Sequence, residues 1–239
     1  SMDLGQIAVI ARRHQDLMDL SGHLLQAKVP IIYDLKEDIF KEPLIIELFE
    51  LSGCILNLDK NSTTQREIIF RVLSNQYWQI PTETLWQLSL SANRQKDESL
   101  LETTQDFKNP NLTRAVEVLK ELHRISKTEP LESMLDKLIG SLDLSQEGQL
   151  QSPFKSFYFP SEDLKENLGQ YRHYLSAIRT LRDALRNWRP TIGLTLKDLL
   201  EFRSEYQKSG LKLINKFQVQ SGSEQAVNLL TAHSAKGLE

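Results

Sequence analysis

The chain has 239 residues, 40% hydrophobic and 26% charged, with a net charge of −3 and a single cysteine. Such a length supports one large or two small domains with a substantial core, and such a balance is that of an ordinary soluble globular protein. It excludes a strongly basic body that attracts nucleic acid through a global field, an internal disulfide and, since no run of about 18 apolar residues occurs, a membrane-spanning helix. No signal peptide is recognisable, and the lone Cys54 suits a reducing cytoplasm, the expected location.

In chain order, Ile7 to Ala11 and Val29 to Tyr33 are short apolar runs rich in β-branched residues and predict strands. Between them Leu17, Leu20, Leu24 and Ala27 recur at helical spacing from a His14-Gln15-Asp16 start, so the opening reads as a β-α-β unit with parallel strands. Pro43 begins a helix carrying Leu44, Ile45, Leu48, Phe49 and Leu51, and Cys54 lies in its apolar continuation.

From about Asn61 onward the pattern is helical only. Thr63 or Thr64 ahead of Glu67 gives a capping signal, Pro81-Thr82-Glu83-Thr84 starts a helix with Leu85, Trp86 and Leu88, and further helices are expected over Asn111 to Ile125 and Pro130 to Leu144. Ser145 to Pro160 reads as a loop whose Phe154, Phe157, Tyr158 and Phe159 hold it down. Two long helices follow, about Ser161 to Trp188, stopped by Pro190, and about Thr195 to Phe217. Val227, Leu229 and Thr231 then alternate with Asn228, Leu230 and Ala232, as in a buried parallel strand that empties into a polar loop holding His233, Lys236, Gly237 and Glu239. The expected fold is mainly α with a small parallel β portion, its strands near residues 6–11, 29–33 and 226–231.

Few constellations suggest chemistry. Arg172, Arg179, Arg182, Arg186 and Arg189 fall on one face of a helix, either tracking phosphates or flanking an apolar face of Tyr174, Leu175, Ile178, Leu181, Leu185 and Trp188, with pairing to Asp183. Trp78 and Trp86, eight apart on either side of Pro81, read as core in preference to base-stacking platforms. His23, His123 and His173 have no metal-ligand spacing, so no metal site is expected. Arg12 and Arg13 after the first strand either meet a ligand or cap a sheet edge, and Thr82 and Thr84 either cap a helix or meet a phosphate.

The most specific signal is Thr231-Ala-His-Ser-Ala-Lys-Gly-Leu-Glu239, which resembles motif V of superfamily 1 DNA helicases of the UvrD/Rep/PcrA type. The opening is also similar to the second RecA-like motor domain of that family, with Ala11-Arg12-Arg13-His14 for its Tyr-Arg-Thr-Asn and Lys28-Val29-Pro30-Ile31 for its Gly-Ile-Pro segment. The family's asparagine is His14 here. An all-helical insertion between the early strands and motif V matches the family's 2B subdomain. Where relatives carry Gly-Ile-Gly-x-x-Thr, this chain has Gln79-Ile80-Pro81-Thr82-Glu83-Thr84, with both glycines gone.

The resemblance implies a domain plan of 1–60 as the start of the second motor domain, 61–220 as the 2B-like block and 221–239 as the return to the motor. It implies that Thr231, His233, Arg12 and His14 face single-stranded DNA, that Gly237 and Glu239 face ATP, and that Thr82 and Thr84 are weak candidates for duplex contact. It further implies that ATP and Mg²⁺ serve a parent protein that is a 3′ to 5′ helicase or translocase of repair, replication or recombination, and that its 2B-like block meets duplex or partner proteins. The sequence contains no Gly-x-x-x-x-Gly-Lys-Ser/Thr loop and no catalytic residue of its own, so it is expected to be a fragment, inactive alone and without bound cofactor. The alternatives are a helical protein-interaction module without nucleotide chemistry, or the helicase subunit of a recombination helicase-nuclease.

Overall fold

The strand that comes last in the sequence lies between the two that come first. The computed structural model describes residues 4–35, 38–94, 100–144, 150–160, 168–190, 193–215, 217–220 and 226–235. Two compact units divide the chain, one formed by Ser1–Ile45, Tyr158–Arg186 and Leu211–Glu239, the other by Ile46–Phe157 and Asn187–Gly210. The fold is mainly α with a small parallel sheet, as the sequence predicts.

In the first unit β1 (Ala8–Ala11) leads through α1 (His14–Gln26) to β2 (Ile31–Leu35). β3 (Phe217–Gln220) and β4 (Val227–Thr231) complete a sheet of order β1-β4-β2-β3. β4 runs parallel to both early strands, pairing Ala11 with Thr231 on one side and Tyr33 with Leu229 on the other. Alternation puts Val227, Leu229 and Thr231 inward, all under 7% exposed, and the apolar cluster of Leu17, Met18, Ile31, Tyr33, Val227 and Leu229 fastens α1 to one face of the sheet. α1 ends with Lys28 in the left-handed region (φ 57°), while Val29 N–H donates to the Leu24 carbonyl, a glycine-type helix stop made by lysine.

β3 was not expected. It pairs antiparallel with β2, Leu35 opposite Phe217, in place of the last turns of the helix expected to reach Phe217. That helix stops at Ser209 because Gly210 adopts φ 67°. The signal for β3 is present in the alternation Phe-Gln-Val-Gln. After Thr231 the expected loop begins instead as one helical turn, Ala232–Ala235.

The second unit is helical, built from most of α2 (Pro43–Leu56), α3 (Thr63–Leu73), α4 (Thr82–Arg94), α5 (Leu100–Thr103), α6 (Pro110–Ile125), α7 (Leu131–Ile139), most of α8 (Phe154–Tyr158) and, after α9 (Leu168–Trp188), nearly all of which belongs to the first unit, α10 (Leu196–Ser209). The cap of α3 is Ser62, whose hydroxyl accepts from Gln65 N–H, rather than Thr63 or Thr64. On α6 the expected face of Leu112, Ala115, Val118, Leu119 and Leu122 is buried. Cys54 is buried too, and burial pushes its thiol up to about 12. The aromatic segment after residue 150 forms a short helix where a loop was expected. Phe154 meets Tyr77 at 5.3 Å within this unit, while Tyr158 meets Tyr174 at 5.4 Å in the other.

Two expectations about exposure fail. Trp78 is core, but Trp86 is 64% exposed on α4. On α9 the buried stripe runs through His173, Ala177, Ile178, Leu181 and Leu185, so Leu175 is turned outward. Among the arginines of that face, Arg186 lies 3.8 Å from Asp183. Arg189 reaches Asp198, Glu201 and Glu205 and lies 3.7 Å from the Trp188 ring centroid, which removes it from any phosphate-tracking stripe.

α7 ends at Ile139 instead of continuing to Leu144 because Gly140 takes φ 83°, and a Cβ there would lie 2.5 Å from the Ser152 carbonyl oxygen. At Gly210 the same addition meets nothing within 4 Å. In urea denaturation, Gly140→Ala is expected to lose about 2–3 kcal/mol, from strain plus clash, and Gly210→Ala about 1 kcal/mol, from strain alone. Equal losses would contradict the close approach at Gly140.

Candidate nucleic-acid interface

A parallel sheet delivers the carboxyl ends of its strands to one edge, and the loops leaving that edge are where open α/β sheets hold ligands. Here Ala11 and Thr231 are in register, so Arg12 and Ala232 leave the sheet side by side. Arg12 is exposed, while Thr231 is 6% exposed and closes the inward face of β4. The backbone of His233 occupies the helical turn after β4. Its side chain, Gly237 and Glu239 lie outside the described residues. Thr82 and Thr84 are in the helical unit, in the first turn of α4, Thr82 exposed and Thr84 half-buried.

His14 opens α1 at the same edge. The Tyr33 hydroxyl stands 2.8 Å from His14 Nδ1 and donates to the His14 carbonyl oxygen at 3.3 Å. This arrangement, made by a residue of β2, fixes the ring and leaves Nε2 as its other polar atom. Desolvation, reinforced by His173, lowers the His14 pKa, so the ring is neutral at neutral pH and acts there by hydrogen bonding or stacking rather than by charge. Arg13 turns aside to Asp16, with Nη2 to Oδ1 at 2.6 Å.

Beside this loop the first unit contains a cleft of about 630 Å³, into which Arg12, His14, Lys41, His173, Tyr174 and Lys212 all open. Its floor is a buried polar cluster. His173 Nε2 lies 2.8 Å from Glu42 Oε1, and Asn215 Nδ2 lies 3.3 Å from His173 Nδ1. Asn215 Oδ1 in turn accepts from Ser176 at 2.8 Å. The Asn215 amide donates to Nδ1 when that nitrogen is unprotonated, and Nε2 lies against the Glu42 carboxylate at ion-pair distance without the alignment of a hydrogen bond. Asp38 ties the same corner, accepting from Phe40 N–H and Leu213 N–H.

Sequence reasoning missed this cluster, since His173 had looked isolated. Its partners are 131 and 42 positions away, Glu42 and Asn215 respectively, and the available clue was only that a histidine interrupts the apolar stripe of α9. Among the described residues no group of three or more His, Cys, Asp or Glu is arranged to hold a metal ion, and no helix is long and apolar enough to cross a membrane.

In this architecture a strand that follows a long helical stretch enters the sheet between the two early strands, parallel to both. The whole chain, residues 1–239, matches the UvrD-like helicase C-terminal domain, and the protein belongs to that family. It is also similar to the ATP-dependent DNA helicase Rep of Buchnera aphidicola subsp. Schizaphis graminum, with 23% identity over 256 aligned residues. That alignment covers 100% of this chain and 34% of the relative, so the chain spans about a third of the curated protein's length.

Two outcomes follow from the site geometry. His14 is expected to titrate below the ordinary value of about 6.5 in an NMR pH series, and its contribution to stability, complete above that value, declines as pH falls through the interval between the unfolded and folded pKa. Removing the imidazole with His173→Ala leaves the Glu42 carboxylate buried without it, with an expected loss on the order of 3 kcal/mol in urea unfolding. A loss under about 1 kcal/mol would mean the cluster is not a structural anchor.

Proposed function

We propose that this chain is part of an ATP-dependent DNA helicase or translocase, moving 3′ to 5′ and acting in repair, replication or recombination. The unit with the sheet is the proposed portion of the second motor domain, and the helical unit is the proposed 2B-like subdomain. The observation that carries the reading is the register of Ala11 against Thr231, which supports a common edge for the Arg12 loop and the Thr231-to-Glu239 motif. A guanidinium, a neutral imidazole and a short hydroxyl at one sheet edge have the chemistry to meet phosphates and bases of a single strand.

In this reading Thr231, His233, Arg12 and His14 contact single-stranded DNA, whereas Gly237 and Glu239 approach ATP bound with Mg²⁺ in the complete protein. Gly237 and Glu239 follow Thr231 closely in the sequence, so in this reading closure of the nucleotide cleft shifts the DNA contacts at the end of β4 and couples hydrolysis to stepping. The helical unit meets duplex DNA, through Thr82 and Thr84, or a repair or replication protein. Trp86, exposed one turn after Thr82, favours a contact role for this part of α4.

In the intact helicase, Arg12→Ala and His233→Ala are each expected to reduce DNA-stimulated ATPase about tenfold or more, corresponding to about 1.4 kcal/mol, with the DNA-independent rate retained. Unchanged stimulation in both variants would remove this edge from the DNA path. The 239-residue chain alone is expected to hydrolyse no ATP.

A further inference from the structure

The cleft beside the sheet edge contains more positive charge than its own acids neutralise. Asp38 is satisfied by two backbone N–H groups, Glu42 faces His173, and Arg13 is taken by Asp16. Arg12, Lys41 and Lys212, all exposed and all lining the cleft, form no ion pair with any acid among the described residues. Set against the carboxylates of Asp38 and Glu42 on the same lining, these three cations leave the concavity net positive in a protein of net charge −3, a local field that the global charge does not supply.

The start of α1 adds to it, because the cap residue Arg13 makes no side-chain capping bond and His14 opens directly into the cleft. The lining is also preorganised. Lys41 closes the 3₁₀ turn Ile39–Lys41, and Lys212 belongs to the segment that Ile39 N–H fixes by donating to the Leu213 carbonyl at 2.8 Å. The Tyr174 ring is held edge-on by Tyr158 and its hydroxyl is reached by Gln170 Nε2 at 2.9 Å.

We propose that this cleft is a second segment of the nucleic-acid path, in which Lys41 and Lys212 bind successive phosphodiesters of a single strand leaving Arg12, and Tyr174 offers an aromatic surface to a base. The inference rests on the DNA-binding reading of the Arg12 edge and extends it to residues outside the family motifs. A single strand is the ligand because a cleft of about 630 Å³ has the size of a small-ligand site and is lined by both cations and an aromatic ring, the pairing that single-strand sites use.

The test is fluorescence anisotropy of a labelled oligothymidylate across a salt series, using the intact protein and its Lys41→Gln/Lys212→Gln double variant. Losing two phosphate contacts is expected to weaken binding about tenfold or more at low salt and to reduce the slope of log affinity against log salt by about 1.4. Both lysines are exposed, so an unchanged thermal melt serves as the folding control. If the double variant binds as the parent does while Arg12→Gln weakens binding, the cleft lies off the path and the edge reading survives. If neither variant weakens binding, both readings fall. Displacement of the oligonucleotide by inorganic phosphate at matched ionic strength would make the cleft a small-anion site, and an equal loss for duplex DNA would remove the single-strand assignment; either result overturns the proposal.

Discussion

The structure of the first unit depends on the insertion of β4 between β1 and β2. Those early strands do not hydrogen-bond to each other, so until residues 227–231 arrive each presents an unpaired row of backbone donors and acceptors toward an empty lane. Filling that lane satisfies both ladders together and completes the apolar layer under α1 with Val227 and Leu229. The contact spans nearly the whole chain, and the same ladder that closes the core also fixes where the functional edge lies.

Because the pairing is parallel, the loop after β1 and the turn after β4 emerge at the same end. A one-residue slip would exchange the buried Val227, Leu229 and Thr231 for Asn228 and Leu230, so burial holds the register and the register holds Arg12 beside the start of the motif. Tyr33 adds a second constraint from β2 by holding the ring of His14. The proposed DNA contacts at Arg12, His14 and Thr231 are thus anchored to three strands rather than to a free loop.

Charge is used locally throughout the chain. Arg189 is consumed by three acids and an indole, Arg13 by Asp16, and Arg124 by Glu121 at 2.6 Å, so the arginine count overstates what is available to a polyanion. Arg12, Lys41 and Lys212 are different because they make no ion pair with a described acid and outnumber the Asp38 and Glu42 carboxylates on the same cleft. Selective pairing of this kind lets a mildly acidic protein keep a cationic cleft without a globally attractive field.

Much was legible in the residues themselves. Periodicity predicted α1, α2, α4 and α6, apolar β-branched runs predicted β1 and β2, alternation predicted β4, and the Thr231-to-Glu239 string identified the family. Errors came where one backbone residue changed direction, as when glycine at 140 and 210 stopped helices that their apolar patterns would have continued, and where a four-residue strand, Phe217–Gln220, was too short to outweigh the helix before it. Sequence alone determined local geometry and the identity of the motif, because both are encoded within a turn or two of chain. Only the tertiary structure decided that β4 separates β1 from β2, that Tyr33 holds His14, and that His173, Glu42 and Asn215 form one buried cluster, because each joins residues whose proximity depends on the completed sheet and the segments packed beside it.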